Sequence, residues 1–284
     1  MKLATYNIHF ATGQDDRNDL VRIADTVRDA DIIGLQEVDR YWQRSGRCDQ
    51  AISLAEQLPG YSWIYGAGYD APVRLEQPTS ATAEERGRRR QHGNMILSRW
   101  PILSSRVLPL PKAKRKEFCQ LRVVIETVID APGGALRVYC MHLCHISAAT
   151  RLPQVEQLLT YLETLPDEGA TWSVVSPDKP SWTEGEVPPP YPDDVVFLGD
   201  MNFTPTSDEY GRLSSKADLT DSWTLLGRDP DAPAEYSCLS VHDQRTLRID
   251  HIFVSPNVAK RVENGWIDQQ SIGSDHYPVW IELR

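Results

Sequence analysis

Residues 2–8 alternate apolar and polar positions, the two-residue period of a strand buried on one face. Residues 17–28 change to a helical period, with Leu20, Val21, Ala24 and Val27 recurring on one side. Asp15 and Asp16 stand ready to cap that helix. Residues 31–35 form a short apolar run ending in Gln36-Glu37, which predicts a buried strand with polar residues at its C-terminal end. Residues 52–58 predict a helix stopped by Pro59-Gly60.

Strand patterns then dominate at 94–99, 102–108, 119–129 and 136–143, punctuated by Pro101, Pro109 to Pro111 and Ala131-Pro132-Gly133-Gly134. Residues 155–165 predict a helix, while 194–198, 248–254 and 278–283 predict further strands. Between them, residues 166–193 are rich in Pro, Gly and Ser and carry Trp172 and Trp182. That stretch reads as an inserted loop, long enough for a compact domain to suggest a function. No repeat of fixed period and no linker appears. The expectation is a single domain over 1–284, an α/β fold of two packed sheets flanked by helices.

Composition narrows the classes. The chain has 284 residues, 40% hydrophobic and 25% charged, which is ample for a large core. No apolar run resembles a signal or a membrane span. The five cysteines are an odd number, so reduced thiols in a cytoplasmic protein are expected. A formal net charge of -10 weighs against a dedicated duplex nucleic-acid binder, which neutralises phosphates with a cationic face. A local basic rim on an acidic body stays compatible with that charge.

Six stretches place oxygen or imidazole ligands at strand ends: Thr5-Tyr6-Asn7, Leu35-Gln36-Glu37-Val38-Asp39, His142-Leu143, Gly199-Asp200-Met201-Asn202-Phe203, Arg248-Ile249-Asp250-His251 and Ser274-Asp275-His276-Tyr277-Pro278. Singly each is bland, since most such carboxylates are solvated or cap a turn. In this order they resemble the endonuclease/exonuclease/phosphatase superfamily, built like deoxyribonuclease I. Asn7 follows the first strand, Gln36-Glu37 follows the second, and Gly199 to Asn202 and Ser274 to His276 are the most diagnostic pieces. The resemblance spans about residues 2 to 283. It implies a four-layer α/β sandwich of two mixed, mainly antiparallel sheets packed face to face with helices outside. It also implies divalent-metal dependence and hydrolysis of a phosphoester by water.

The chemistry fits those residue types. An anionic phosphoester needs charge neutralisation, an oriented water and help for the leaving oxygen. Glu37, Asn7 and Asp275 offer hard oxygen ligands suited to Mg²⁺ or Mn²⁺. By resemblance, Asp200 is the base or water-orienting group and Asn202 positions water or phosphate. His276 pairs with Asp250, and His142 donates to a phosphate oxygen. Whether Asp200 or His276 takes the proton stays open. The expected partner is an anionic phosphoester, with a small, lipid or sugar substrate favoured over DNA or RNA. A non-catalytic binding module on the same scaffold is the third reading.

Strand parity bears on the rim. If 94–143 is one antiparallel meander, His142 shares an edge with two basic loops, Arg86, Arg88, Arg89, Arg90 and Lys112, Lys114, Arg115, Lys116. Either they steer an anionic substrate or they are ordinary solvated loops. Asp39, Arg40, Trp42 and Arg44 could contact substrate. His145 could line the pocket, whereas Asn94 reads as structural. Cys140, His142, Cys144 and His145 lack the second ligand pair of a zinc site. No acyl-transfer serine motif or phosphate-cradling glycine loop occurs.

Overall fold

The computed structural model describes residues 1–74, 82–113, 119–174, 178–229, 232, 234–239 and 246–284. The N-terminal half runs β1 (Lys2–Asn7), α1 (Leu20–Val27), β2 (Ile32–Arg40), α2 (Gln50–Gln57), β3 (Ser62–Pro72), α3 (Ala83–Gly87), β4 (Arg89–Ser98), β5 (Ile102–Pro109), β6 (Val123–Ile129) and β7 (Leu136–His142). It continues through α4 (Ala148–Glu168), β8 (Val195–Asp200), α5 (Asp208–Lys216), β9 (Thr220–Asp221), α6 (Ser222–Leu225), β10 (Cys238–Leu239) and β11 (Thr246–Leu247). The last elements are β12 (Asp250–Val254), α7 (Pro256–Ala259), β13 (Val262–Ile267) and β14 (Val279–Leu283). Among the described residues, no helix is long and apolar enough to cross a membrane.

Two six-stranded sheets carry the fold, in the orders β13-β14-β1-β2-β4-β3 and β5-β6-β7-β8-β12-β9. Three apolar cores separate four layers. Leu3, Ile32 and Ile96 of the first sheet meet Val138, Val196, Leu198 and Ile252 of the second in the middle. Ala4, Tyr6, Ile33 and Leu35 point the other way, onto Ile23, Ala24, Val27 and Leu54 of α1 and α2. Tyr139, Met141, Phe197 and Phe253 pack outward on Val155, Leu158 and Leu213 of α4 and α5. Successive residues on a strand face opposite ways, so strands apolar on both faces are what a buried sheet requires. The four-layer sandwich expected from the resemblance is the fold observed.

Several local readings need correction. The N-cap of α1 is Asp19, whose side chain accepts the Arg22 amide; Asp15 instead pairs with the Arg22 guanidinium at 3.0 Å. The buried stripe of α1 is Ile23, Ala24 and Val27, and Val21 is half exposed. α4 runs on through Pro153 and Pro166 to Glu168, so the inserted stretch starts three residues later than its composition suggested. The 94–143 meander does not exist as one sheet. β4 pairs with β2 and β3, and the chain crosses at Trp100-Pro101 to the second sheet, where β5, β6 and β7 are antiparallel.

The two ends of the inserted stretch touch the outer face of the second sheet. Arg106 donates to the Ala170 carbonyl at 2.9 Å, and the Arg137 guanidinium lies 4.2 Å from the centre of the Tyr191 ring.

Candidate active site

The site grows from the central core. On four strands the inward-facing residues are apolar, or small and uncharged, until the last one, which is polar or charged. These series are Leu3, Thr5, Asn7; Val138, Cys140, His142; Val196, Leu198, Asp200; and, reading back along β12, Val254, Ile252, Asp250. β7 and β8 are parallel with His142 opposite Asp200, and β12 is antiparallel to β8 with Asp250 opposite Asp200. Ladder register therefore sets His142, Asp200 and Asp250 in one row across the second sheet. In the first sheet, parallel pairing of β1 and β2 sets Asn7 beside Gln36.

A hydrogen bond ties the two sheets at that end: Asn7 Nδ2 donates to Asp200 Oδ2 at 2.8 Å. Asp200 Oδ1 accepts the Asn202 amide at 3.0 Å, and Asn202 Nδ2 donates to the Leu143 carbonyl at 3.1 Å. The C-terminal loop closes the site. Ser274 Oγ donates to the Asn7 carbonyl at 2.8 Å and accepts the His276 amide at 3.1 Å. The His276 ring bridges the two acids, with Nδ1 2.8 Å from Asp250 Oδ2 and Nε2 3.7 Å from Asp200 Oδ2. Asp250 Oδ2 also accepts from Ser237 Oγ at 2.7 Å.

Glu37 enters by a different device. Between Leu35 and Val38 the β2–β4 register slips by one residue, a β-bulge. Glu37 sits there in a left-handed conformation with φ of 60°. A bulge bends the strand and re-aims a side chain, here toward the cleft, where its Oε1 lies 3.9 Å from His142 Nδ1. Asn202 is left-handed too, with φ of 53°. Asp275 lies on the rim, its Oδ1 3.6 Å from His9 Nδ1, and the His9 amide donates to Asn7 Oδ1 at 3.1 Å.

These charges act on one another. Burial raises Asp200 most, Asp250 and Glu37 add to it, and His276 and the Asn7 amide pull back, leaving its pKa at about 7. Burial opposes the charged form of His276, yet Asp250 and Asp200 outweigh it and hold that imidazole well above its ordinary value. Burial, then Arg122, His92 and His276, push His142 well below its own. Burial works against an ionised Glu37, but His92, Arg122, His9 and His276 overcome it and lower its pKa.

All eight residues singled out in the sequence for catalysis or metal binding thus join one linked network. Arg122 was missed. It is buried, with its guanidinium 3.0 Å from His142 and 3.4 Å from His145. Only strand register, which sets β6 against β7, could have brought it to notice. Ser237, which supports Asp250, carried no signal at all. Asn94 bonds from β4 to the Val123 carbonyl of the second sheet at 2.9 Å.

Asp39 is scaffolding beneath the surface, held by Arg44 at 2.8 Å and His92 at 2.7 Å, and Arg40 is engaged by Asp49. The thiols and imidazoles of 140–145 turn to separate partners. Cys144 Sγ meets Cys119 Sγ at 3.2 Å, Cys140 Sγ accepts from Gln36 at 3.2 Å, and both histidines face Arg122. Of the basic loops, Arg88 is paired with Glu84 at 2.7 Å and Arg89 with Asp70 at 2.6 Å. Lys114, Arg115 and Lys116 lie outside the described residues.

Among the described residues, the group of three acid, imidazole or thiol ligands close enough to share an ion is Asp200, Asp250 and His276, within 4.8 Å of one another. Its imidazole is the one held well above its ordinary pKa, and an imidazolium repels a cation. Glu37 is the better anchor. Among the described residues its carboxylate receives no hydrogen bond, although its charge is favoured. An ionised carboxylate left without a donor suits a hard cation, with Asn7 and Asp275 as further oxygen donors beside it.

Residues 4–276 match the model of the endonuclease/exonuclease/phosphatase family. No curated protein sequence matches the chain. Several solved structures share its fold along its whole length. An endonuclease/exonuclease/phosphatase from Beutenbergia cavernae is 22% identical with a TM-score of 0.70, the match covering 100% of this chain and 71% of that one. A mannosyl-6-phosphatase from Bacteroides thetaiotaomicron is 20% identical with a TM-score of 0.64, covering 100% and 99%. A 3′ phosphatase from Neisseria, bound to a product DNA hairpin, is 20% identical with a TM-score of 0.59, covering 100% and 99%. With its fold, its row of strand-end ligands and a family match over nearly its full length, the chain belongs to the endonuclease/exonuclease/phosphatase family.

Proposed function

We propose that this protein is a divalent-metal-dependent hydrolase that cleaves phosphoester bonds by attack of water on phosphorus, with a small, lipid or sugar phosphoester as substrate. The observation that carries this reading is the meeting of Asn7, Glu37, His142, Asp200, Asn202, Asp250, Asp275 and His276 where the two sheets touch at Asn7 and Asp200. Glu37, with Asn7 and Asp275, would hold Mg²⁺ or Mn²⁺. Such an ion supplies Lewis-acid polarisation of a phosphoryl oxygen and charge stabilisation for the leaving group.

The chain's own groups do the rest. Asp200, oriented by the Asn202 amide and the Asn7 side chain, takes the proton of the attacking water. His276, fixed through Nδ1 by Asp250, presents Nε2 to the phosphate as a charged donor. Asn202, with its Nδ2 committed to Leu143, orients water through its carbonyl end. His142 donates to a phosphoryl oxygen.

A small substrate is favoured because Arg88 and Arg89 of the 86–90 cluster are partnered by carboxylates and Arg90 lies over the Trp42 ring. Of the structurally similar proteins, one is a mannosyl-6-phosphatase and one a 3′ phosphatase bound to a product DNA hairpin.

The test is a panel of sugar phosphates, a lipid-headgroup diester, a bis-aryl phosphodiester, supercoiled plasmid and abasic duplex. Each is assayed with Mg²⁺ or Mn²⁺ at two salt concentrations. Metal-dependent turnover of a small ester, lost in Asp200→Asn, is expected. Preference for DNA with steep salt dependence makes the protein a nuclease, and no turnover on any substrate makes it a binding module. Full turnover by His276→Ala would sink the mechanism.

A further inference from the structure

Two imidazoles flank Asp200 Oδ2, one backed by a carboxylate and the other by a guanidinium. His276 Nε2 is 3.7 Å away, with the carboxylate of Asp250 behind its Nδ1. His142 Nε2 is 3.3 Å away, with the guanidinium of Arg122 behind its Nδ1 at 3.0 Å. A carboxylate accepts, so the Nδ1 of His276 carries a hydrogen. A guanidinium can only donate and does not lose its charge. A hydrogen on His142 Nδ1 would set two donors against each other at 3.0 Å. The lone pair must therefore lie on Nδ1, and the single ring hydrogen on Nε2, at the mouth of the cleft 3.3 Å from Asp200 Oδ2 and free to turn to a phosphoryl oxygen.

We propose that Arg122 is a positioning residue that fixes His142 as the neutral tautomer with its hydrogen on Nε2. The same guanidinium reaches His145 Nδ1 at 3.4 Å and sets that ring the same way. In consequence Asp200 Oδ2 faces the N–H edge of His142 at 3.3 Å on one side and Nε2 of His276 at 3.7 Å on the other. Arg122 is 8% exposed, and its charge serves the two rings rather than the substrate directly. The effect on rate rests on the phosphoesterase reading, but the tautomer does not.

The experiment is long-range ¹H–¹⁵N correlation on protein labelled at its 7 histidines, with His142 assigned by its loss in His142→Gln. The wild type is expected to show a bare Nδ1 and a protonated Nε2 at His142. Arg122→Lys keeps that pattern, and Arg122→Met shifts hydrogen toward Nδ1. On a turned-over substrate, Arg122→Met lowers kcat by about 10²-fold with KM little changed, and Arg122→Lys recovers most of it.

A wild-type His142 with hydrogen on Nδ1, or a pattern unmoved in Arg122→Met, overturns the proposal. So does a loss confined to KM, which would make Arg122 a substrate ligand. If Arg122→Met fails to fold, the wild-type and Arg122→Lys spectra still decide. The predicted tautomer with no turnover of any ester would sink the phosphoesterase reading alone.

Discussion

At Glu37 the backbone holds a left-handed conformation that side chains avoid, and the strand bulges to put it there. Such a conformation costs an ordinary residue about 1–2 kcal/mol, which glycine escapes. Glu37→Gly should therefore gain about 1 kcal/mol in urea unfolding while losing metal-dependent turnover. A fall in the urea midpoint would show that Glu37 stabilises the fold rather than serving the site. Asp200, with a pKa pushed up to about 7, must be ionised to take a proton. Turnover should fall as pH drops through a limb at or below about 7, because a nearby cation pulls a carboxylate down. A rate flat from pH 5 to 8 would remove Asp200 as base.

Away from the site, Asp221 is buried against Arg248 and His251, with Tyr210 donating to it at 3.0 Å. Burial opposes its charge, but His251 and Arg248 outweigh that and hold its pKa far below the usual carboxylate range. A depressed folded pKa gives stability that is complete above the unfolded value near 4 and drains away as pH falls toward the folded one. Asp221→Asn should cost about 3–5 kcal/mol at pH 7 by removing the buried carboxylate charge that Arg248 and His251 face, and should flatten the loss of stability in acid. Equal acid sensitivity in the variant would contradict that.

Among the elements, the β7–β8 pair decides the site, because its register sets His142 beside Asp200. Gly199 permits the close approach: with φ of 150°, a Cβ there would meet the Met141 carbonyl oxygen at 2.0 Å. Gly199→Ala should part the two strands and cost about 3 kcal/mol or more, with activity falling further than stability explains. A variant with wild-type stability would show that the strands can yield.

Most strands buried on both faces were legible, since β2, β6, β7, β8, β12 and β14 read as apolar runs, whereas β1 read as alternating although both of its faces are buried. β3 was not legible, because it is a half-exposed edge strand with glycines at 66 and 68, and β13 is another exposed, irregular edge. The crossing from one sheet to the other at Trp100-Pro101 has no signature of its own; it looks like any tight turn.

For the whole molecule, a net charge of -10 and the pairing of Arg88 and Arg89 with carboxylates argue for weak salt dependence. Between ~50 and ~200 mM salt, kcat/KM for a small ester should change less than about 2-fold, where a duplex binder with many phosphate contacts loses ~10³ or more. Steep dependence on a small ester would point to cationic steering from residues other than those described.

The polar ends of the strands belonged to the amino-acid sequence: Asn7, Glu37, His142, Asp200, Asp250 and the Ser274 to His276 loop are each bland by pattern, and their order, through the family it resembles, implied which side chains would share a cleft. Which of them touch, and what charge each carries, was decided by tertiary structure. Ladder register chose the neighbours of Asp200, a bulge turned Glu37 inward, and burial beside opposite charges drove His142 and His276 apart. Local pattern fixes which face of a strand a residue takes. The electrostatics of a site depend on distances across strands that only the closed sandwich sets.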